Sequence, residues 1–498
     1  MSPDLKPSRL SDPPSPHQIL SDVKPAAGPS SLVTISKGLE TLHVDQHSTA
    51  STEVVEVMEY RLYRGRFFGL TGLVLLNVIT AMSWPWFGPI SNNMVMEFGF
   101  SLDQVNWLGN IVACVYLPTA LIIPSLVSRY GIRRCCDLGV TVLLLSAWLR
   151  YAGTAKSLSK ASSYALIIIG QFFVAIAQPI FQIVGPKYSE TWFNLNGRTT
   201  ATMVAAIANP VGGAVGQLLS PLVGDTRQSI LVLGILSTAV IPFVFLIGKA
   251  PPTPPTYAAS KPSPPLPTLI RAMLGMKVPQ DSHMTGRERA DFVIVALIFG
   301  TIVGGQVFFL LFEPVGYTAD QSGFLGACLL LTGIVSAIVT APLFDRVFTH
   351  RLAITSKTLV PMVGAGWLSL IWAVRPHNLA GLFAIMTILG VCSVTMLPVG
   401  LELGCELTRN ANASSAALWF CGNLFGVIFV LSEGALRASP SANPPLNMRR
   451  ALVFHGTIIM ASCCLVFLIH GRQVRKERDE QKLQSLLRTS PADVDTEI

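Results

Sequence analysis

The chain has 498 residues, of which 51% are hydrophobic and only 13% are charged. Because soluble domains carry about 25% charged residues, this composition excludes an ordinary soluble protein and predicts a membrane protein with several spans. The formal net charge of +8 does not indicate nucleic-acid binding. Lys and Arg lie in short loops between apolar segments, where they determine membrane topology.

The two ends of the chain differ in composition from its middle. Residues 1–57 are rich in Ser and Pro, poor in aromatic residues and contain no apolar signal-peptide core. This composition predicts a disordered N-terminal tail. Residues 471–498 are strongly charged, and we expect them to form a cytoplasmic tail.

Twelve apolar segments between these tails are long enough to cross a bilayer, whose core of about 30 Å requires about 20 helical residues. A proline-rich segment, 249–290, predicts a cytoplasmic linker between an N-terminal six-helix bundle (58–248) and a C-terminal one (291–470). The fold class is therefore an all-α membrane protein. The predicted spans are 65–90, 105–127, 136–156, 163–186, 198–223, 229–248, 291–315, 323–344, 352–373, 377–401, 412–436 and 450–470.

Loop charges predict that both termini are cytoplasmic. Lys and Arg are concentrated in the loops that this topology places on the inner side. Arg150 and two nearby lysines lie on the outer side and are the main exceptions. At the inner face, Lys187, Glu190 and Arg198 follow the fourth span, where they indicate either a gate or a topology signal.

Polar side chains inside the spans are candidates for function, because burying them in hydrocarbon is costly. Gln178 and Asn209 lie in the first half, and Gln306, Glu313 and Glu402 lie in the second. The amides also fit a purely structural role as hydrogen-bond partners between helices. Glu313 has a second interpretation too, since its side chain could simply reach the outer interface.

Small residues are dense in the fifth span, ANPVGGAVG. Gly212, Gly213 and Gly216 would let neighbouring helices approach closely and slide past one another. Static packing explains these glycines equally well.

Several longer motifs carry a family resemblance. They are SWPWFGPISN in the first span, GQFFVAIAQPIF followed by TWF in the fourth, ANPVGGAVGQLLSP in the fifth, and LPVGLELGCELT and SSAALWFCGNLFGVIF in the second half. Their order and spacing resemble the feline leukaemia virus subgroup C receptor-related family, solute carriers of the major facilitator superfamily. The resemblance covers about residues 60–470 and implies the major facilitator fold. The proline-rich tails are similar to those of fungal transporters.

The choline-handling members of this family resemble one another in placing a first-span Trp, a fourth-span Gln and a seventh-span Tyr around the ammonium group. Trp84 and Gln178 match the first two positions, and the third position reads Val307. With the adjacent Gln306, these residues form the expected substrate site. An aromatic face attracts a quaternary ammonium by about 0.5–2 kcal/mol. Trp84 also fits the interfacial belt, where Trp is common.

The superfamily resemblance extends to the short inner loops. SRYGIRR follows the second span, but Ser128 stands where the superfamily has an Asp before the basic residues. The equivalent loop of the second half, LFDRVFTHR, keeps both charges. The candidates for coupling or gating are therefore Asp345 and Arg346, together with Glu313, Glu402 and Asn209.

The expected function is secondary active or facilitative transport of a small organic solute by alternating access. The resemblance implies a choline-like amine, haem or a vitamin-like molecule such as pyridoxine. An efflux pump for a hydrophobic specialised metabolite or drug is the alternative within transport, and a non-transporting membrane receptor or sensor is the alternative of another class.

An enzyme is not expected, because the sequence shows no nucleophile–base or metal-ligand constellation and no nucleotide-binding loop. We expect no cofactor and no nucleic-acid partner. The expected partners are the small-molecule substrate and the lipid bilayer, with the chain acting as a monomer. A plasma-membrane location is favoured over a vacuolar or other internal membrane.

Overall fold

The computed structural model describes residues 60–306, 317, 319–343, 352–439, 441–443 and 447–489. The predicted tail at 1–57 lies outside these residues, as do Val307, Glu313, Asp345 and Arg346. Every regular element in the described residues is helical.

The first half contains six α-helices. They are α1 (Gly65–Met82), α2 (Ser91–Phe98), α3 (Leu102–Ala152), α4 (Lys160–Trp192), α5 (Leu195–Leu219) and α6 (Thr226–Ala239). Two 3₁₀ helices, Ser220–Leu222 and Ile241–Leu246, lengthen α5 and α6.

The remaining helices begin with two short ones in the segment between the halves. They are α7 (Tyr257–Ser260), α8 (Leu266–Met273), α9 (Gly286–Gly304), α10 (Ala319–Leu343), α11 (Leu352–Ala373), α12 (Leu379–Thr408), α13 (Ala411–Leu436), α14 (Arg449–Cys464) and α15 (Val474–Thr489). A 3₁₀ helix, Leu465–Leu468, lengthens α14.

These helices provide twelve membrane spans within the described residues. Ten are long and apolar enough to cross a bilayer. One of the ten, α3, has 51 residues and would be about 75 Å long if straight, but Gly131 interrupts it with a positive φ of 81°, so that α3 supplies two spans. The ten helices therefore supply eleven spans. Helix α9 supplies the twelfth, since it carries its charged residues in its first turns and is apolar from Phe292 onward. The predicted all-α fold with twelve spans is confirmed.

The first span ends earlier than the apolar pattern predicts. Helix α1 stops at Met82, and residues 83–90 form turns before α2, because Pro85 and Pro89 have no N–H to donate. Trp86 is fully buried, and its Nε1 donates to Ser229 Oγ of α6 at 3.1 Å. Trp86 is therefore a packing residue.

The segment predicted as a linker, 249–290, packs against the helical core over part of its length. Leu266, Leu269 and Ala272 of α8 are buried. The seventh span also begins inside this segment, at Gly286 instead of residue 291. Thr285 and Glu288 form a capping box there, which satisfies N–H groups at the start of the helix.

The glycines of α5 divide into two groups. A Cβ at Gly212 would overlap the backbone of Val78, and one at Gly216 would reach Met82 O, so both glycines allow α5 to lie directly against α1. A Cβ at Gly213 would meet no atom within 4 Å. Close helix packing therefore accounts for Gly212 and Gly216, and Gly213 faces open space.

Arg150, the main exception to the loop-charge pattern, lies inside the protein. Its side chain is fully buried and donates to Gln171 Oε1 at 3.0 Å. Gln171 in turn donates to the carbonyl oxygens of Ser83 and Leu108. Arg150 therefore helps to hold α3, α4 and the turn after α1 together.

Candidate functional site

A cavity of about 340 Å³ lies between helices of the two halves. The first half contributes α3, α4, α5 and the end of α1, and the second half contributes α9, α10, α12 and α13. Its polar and aromatic lining residues are Trp84, Trp107, Asn110, Gln178, Gln182, Asn209, Gln217, Gln306, Trp419 and Asn423. None of the described lining residues is Asp, Glu, Lys, Arg or His. The cavity wall is therefore aromatic and amide-rich without a formal charge.

Four residues singled out in the sequence meet at this cavity. Trp84 follows the end of α1 and is half-buried, Gln178 lies on α4, Asn209 on α5, and Gln306 directly after α9. Residues more than 200 positions apart in the chain thus share one wall. Asn209, which the sequence placed with the coupling or gating candidates, faces the same space as the expected substrate residues.

Several polar atoms of the cavity residues have no hydrogen-bond partner among the described residues. They are Gln178 Oε1, Asn209 Nδ2, Gln306 Nε2 and Trp419 Nε1. A buried polar group without a partner costs about 1–3 kcal/mol, so a ligand that supplies partners gains that free energy back. The cavity therefore favours a solute that carries polar groups.

Sequence reasoning missed several of the lining residues. Trp419 is 3% exposed and packs edge-on against Phe299, with the ring centroids 5.1 Å apart. It precedes Asn423 by four residues on α13, and Gln182 follows Gln178 by the same interval on α4. Residues four apart share a helix face, so this spacing was a usable signal. Trp107 and Asn110 carried no comparable signal.

A cluster of buried charges lies away from the cavity, at the end of the helices that the loop charges predict to be cytoplasmic. We call it the gate network, and it comprises Lys187, Glu190, Arg198, Glu402, Glu406, Arg475 and Asp479. All seven residues are at most 9% exposed. They come from α4 and α5 of the first half, from α12 of the second half, and from α15.

Two arginines connect the halves in this network. Arg198 Nη2 lies 3.2 Å from Glu406 Oε1, and Arg198 Nη1 lies 2.9 Å from Asp479 Oδ2. Arg475 Nη1 donates to Glu190 Oε2 at 2.9 Å and its Nη2 to Glu402 Oε1 at 2.6 Å. The first half and α12 are thus joined both directly, by Arg198 and Glu406, and through α15.

The C-terminal end of α4 also contributes to the gate network. Lys187 Nζ lies 2.6 Å from Glu190 Oε1. Glu402, a candidate for coupling or gating, also accepts a hydrogen bond from Thr202 Oγ1 at 3.2 Å. Glu402 therefore belongs to the gate network and does not line the cavity.

Helix α15 lies in the region expected to be a charged tail. Burial alone would lower the pKa of Arg475, but the carboxylates of Glu402 and Glu406 raise that pKa well above its ordinary value. Burial raises the pKa of Asp479 above its ordinary value, and its pairing with Arg198 offsets only part of this effect. The α15 side chains are therefore part of the buried core at this end of the protein.

The positions of the lining residues show which end of the protein holds the cavity. Trp84 follows the end of α1, Trp107 lies in the second turn of α3, and Gln217 and Gln306 lie at the ends of α5 and α9. All of these positions are at the opposite end of the spans from the gate network. The structure is thus closed at the gate network and has its cavity towards the other face.

Comparison with known proteins agrees with this architecture. Residues 73–431 match the Major Facilitator Superfamily. Solved structures of the E. coli fucose:proton symporter and of the proton:xylose symporter superpose with TM-scores of 0.59 and 0.60 at 12% identity. The first match covers 81% of this chain and 99% of that one, and the second covers 84% and 98%.

Relatives in sequence include a solute carrier and two choline/ethanolamine transporters. Solute carrier family 49 member A3 of Danio rerio is 28% identical, over 84% of this chain and 91% of the relative. The choline/ethanolamine transporter flvcr2a of Danio rerio is 24% identical, over 79% and 85%. The human choline/ethanolamine transporter FLVCR2 is 22% identical, over 84% and 80%. The family resemblance seen in the motifs is confirmed: the chain belongs to the Major Facilitator Superfamily and is a multi-pass membrane transporter of a small solute.

Proposed function

We propose that the solute is a small organic cation with an alkylammonium group, of the choline type, and that it binds in the cavity between the two halves. The observation that carries this proposal is the cavity wall itself, which combines tryptophans with unpaired amides and has no charged side chain in its described part. The choline/ethanolamine transporters among the relatives support the same class of substrate.

The chemistry of an alkylammonium group fits such a wall. A quaternary ammonium has no N–H to donate, so the electrostatic attraction of aromatic faces and amide oxygens holds it in place of hydrogen bonds. Each well-placed ring contributes about 0.5–2 kcal/mol. Trp84 and Trp419 come from opposite halves. A cation between them would bind to both bundles at once, as an alternating-access cycle requires.

The hydroxyl or amine at the other end of such a solute needs hydrogen-bond partners. Gln178 and Asn209 present unpaired atoms in the first half, and Gln306 presents one in the second. We propose that these amides orient the polar end of the solute. Val307 and Glu313 stay predictions of the sequence, with Val307 as the wall that lacks an aromatic ring and Glu313 as a candidate for coupling.

The gate network gives this proposal a transport cycle. Ion pairs that join the two halves close one end, and their separation would open the cavity to that end. We propose that Glu402, Arg198 and Arg475 perform this gating. Because the loop charges predict that the gate end is cytoplasmic, the described state would receive solute from the outer side.

Uptake of labelled choline by cells expressing the full chain tests the proposal. Wild-type protein should transport choline, and Trp84→Ala should lower uptake at subsaturating choline about tenfold, because about 1–2 kcal/mol of cation–aromatic attraction is lost. Trp148→Ala is the matched control, since Trp148 is 41% exposed and does not line the cavity. A well-expressed wild type without choline uptake would direct the search to hydrophobic metabolites, or to a receptor that transports nothing.

We further propose that the chain acts as a monomer in the plasma membrane and has no enzymatic activity. Surface biotinylation of intact cells measures how much of the chain is in the plasma membrane, with a vacuolar membrane marker as the control. Labelling no greater than that of the marker would contradict the plasma-membrane proposal.

A further inference from the structure

The second half contains a buried titratable pair that the proposed binding and gating do not use. Glu433 lies near the end of α13, and His455 lies in the second turn of α14. Both residues are 1% exposed, and Glu433 Oε1 lies 2.6 Å from His455 Nδ1. Ionisable groups inside membrane helices are costly, and they often mark the path of an ion or a proton.

The aromatic residues around His455 favour a positive charge on its ring. The centroid of the imidazole lies 4.5 Å from that of Phe429 and 4.8 Å from that of Trp367. Aromatic faces attract cations, so both rings stabilise the imidazolium form. Glu433 does so as well, through its carboxylate.

The second nitrogen of the imidazole points towards the cavity wall. His455 Nε2 has no hydrogen-bond partner among the described residues. A Cβ added to Gly305 would lie 3.2 Å from this nitrogen. Gly305 sits between Gly304 and Gln306, which both line the cavity. One turn of backbone therefore separates the free nitrogen from the solute cavity.

Other charges lie farther from the pair on every helix packed against it. Within α13, Glu433 is the one charged side chain, and the exposed Arg437 follows it by four residues, about 6 Å at helical rise. Lys357 of α11 is ten residues from Trp367, about 15 Å along the helix, and Asp291 of α9 is about 21 Å from Gly305. The exposed residues Arg449 and Arg450 start α14, about 8–9 Å from His455 along the helix. The nearest other charges are thus exposed arginines, whose effect on the buried pair is screened by water and salt.

The protonation states follow from this geometry. With Nδ1–H donating to the Glu433 carboxylate and Nε2 unprotonated, the pair carries a net charge of −1. A proton on Nε2 makes an imidazolium–carboxylate pair with no net charge, which is the less costly state in an apolar environment. A cation in the neighbouring cavity acts in the opposite direction, because it stabilises the negative state.

We propose that Glu433 and His455 form a proton-binding site that exchanges its proton for the cationic solute, which makes the chain a proton antiporter. The proton leaves and returns at His455 Nε2, through the turn at Gly305 and Gln306. Solute binding releases the proton, and solute departure allows reprotonation. This inference rests on the proposed function for the charge of the solute.

Proton movement in liposomes tests the coupling. The full chain is reconstituted around the pH-sensitive dye pyranine, and an inward choline gradient is applied. Wild-type protein should make the lumen more alkaline as labelled choline enters. Glu433→Gln and His455→Gln should abolish this pH change and retain exchange of labelled for unlabelled choline, because exchange requires no net proton movement.

A matched control comes from α14 and the neighbouring helix α9. Thr301 Oγ1 and Ser462 Oγ form a buried, non-titratable pair 2.6 Å apart between α9 and α14. Thr301→Val should therefore behave like wild type. Wild-type uptake without a pH change would overturn the antiport proposal, and so would a pH change that persists in both glutamine variants.

A measurement without solute separates this inference from the proposed function. Because protonated imidazole quenches tryptophan fluorescence, the fluorescence of Trp367 should change with pH as His455 gains or loses its proton. This pH-dependent change in fluorescence should be missing in both His455→Gln and Trp367→Phe. Absence of this pH dependence in the wild-type protein would contradict the proposed proton-binding site. Its presence in a chain that does not transport choline would contradict the choline proposal alone.

Discussion

The cavity and the gate network are both polar regions between the halves, but the cavity has unpaired neutral groups and the gate network has paired charges. The described cavity wall is neutral, and several of its amide atoms have no partner. The gate network is charged, and Arg475 alone contacts three carboxylates. An unpaired buried amide costs about 1–3 kcal/mol, but an unpaired buried charge costs far more. Full charges therefore lie where other side chains pair them, and amides line the space that a solute would fill.

Removing Arg475 should produce the largest change. Arg475→Met leaves Glu190, Glu402 and Glu406 with fewer positive partners, and breaking a buried ion pair costs about 3–5 kcal/mol. Because about 1.4 kcal/mol is a factor of ten, we expect the gate to open at least about a hundredfold more often. The probe is Cys405, which is fully buried beside Glu406, and its labelling by a maleimide should accelerate by that factor in the detergent-solubilised chain.

The control for this experiment is another buried thiol. Cys392 is also buried, but on α12 it precedes Cys405 by 13 residues, about 20 Å along the helix. Its labelling rate should stay unchanged if Arg475→Met opens the gate locally. Equal acceleration at both cysteines would mean general unfolding and would contradict a gating role for Arg475.

Removing an unpaired cavity amide should lower choline uptake without lowering the stability of the protein. Gln178→Leu deletes a buried polar atom that has no partner among the described residues, so thermal stability should be unchanged or slightly higher. Choline uptake should fall about tenfold, because a hydrogen bond in the bound state is lost. A large loss of thermal stability would show that Gln178 is a structural hydrogen-bonding residue, the alternative that its sequence position left open.

The smallest expected effect is the response of the gate to alkaline pH. Since the carboxylates hold the pKa of Arg475 well above its ordinary value, its contribution is fully present below that ordinary value and is lost only as pH rises above it. Cys405 protection should therefore be constant between about pH 7 and pH 9 in wild type. Arg475→Lys should keep the same protection over this range, because the three carboxylates favour the charged form of a lysine at this position as well. Labelling rates are divided by those of the denatured chain at each pH, and a wild-type decrease would contradict this assignment.

Much of the fold follows from local properties of the sequence. Apolar run length predicts spans because a bilayer core fixes how many helical residues are needed. Capping pairs such as Thr285–Glu288, and prolines such as Pro85, fix helix ends through backbone hydrogen bonding. Glycines of ANPVGGAVG indicated close packing, although their pattern could not separate Gly212, against α1, from Gly213, beside the cavity.

The candidate site was only partly visible in the sequence. Trp84 and Gln178 emerged from a motif resemblance, whereas Trp107 and Trp419 look like ordinary apolar residues of their spans. Glu433 and His455 gave no combined signal, because they lie on different helices and 22 positions apart. The charged C-terminal segment reads as a solvated tail, yet Arg475 and Asp479 are buried.

The sequence by itself determined that this protein has twelve spans, to which superfamily it belongs, and which polar residues interrupt its spans. Tertiary structure decided which of those residues meet in one cavity, which charges close the gate, and that Glu433 faces His455. The physical reason is range: helix formation and membrane partition depend on neighbours within about one or two turns. Pairing of buried charges depends on contacts between helices that are distant in the chain, such as Arg475 with Glu190.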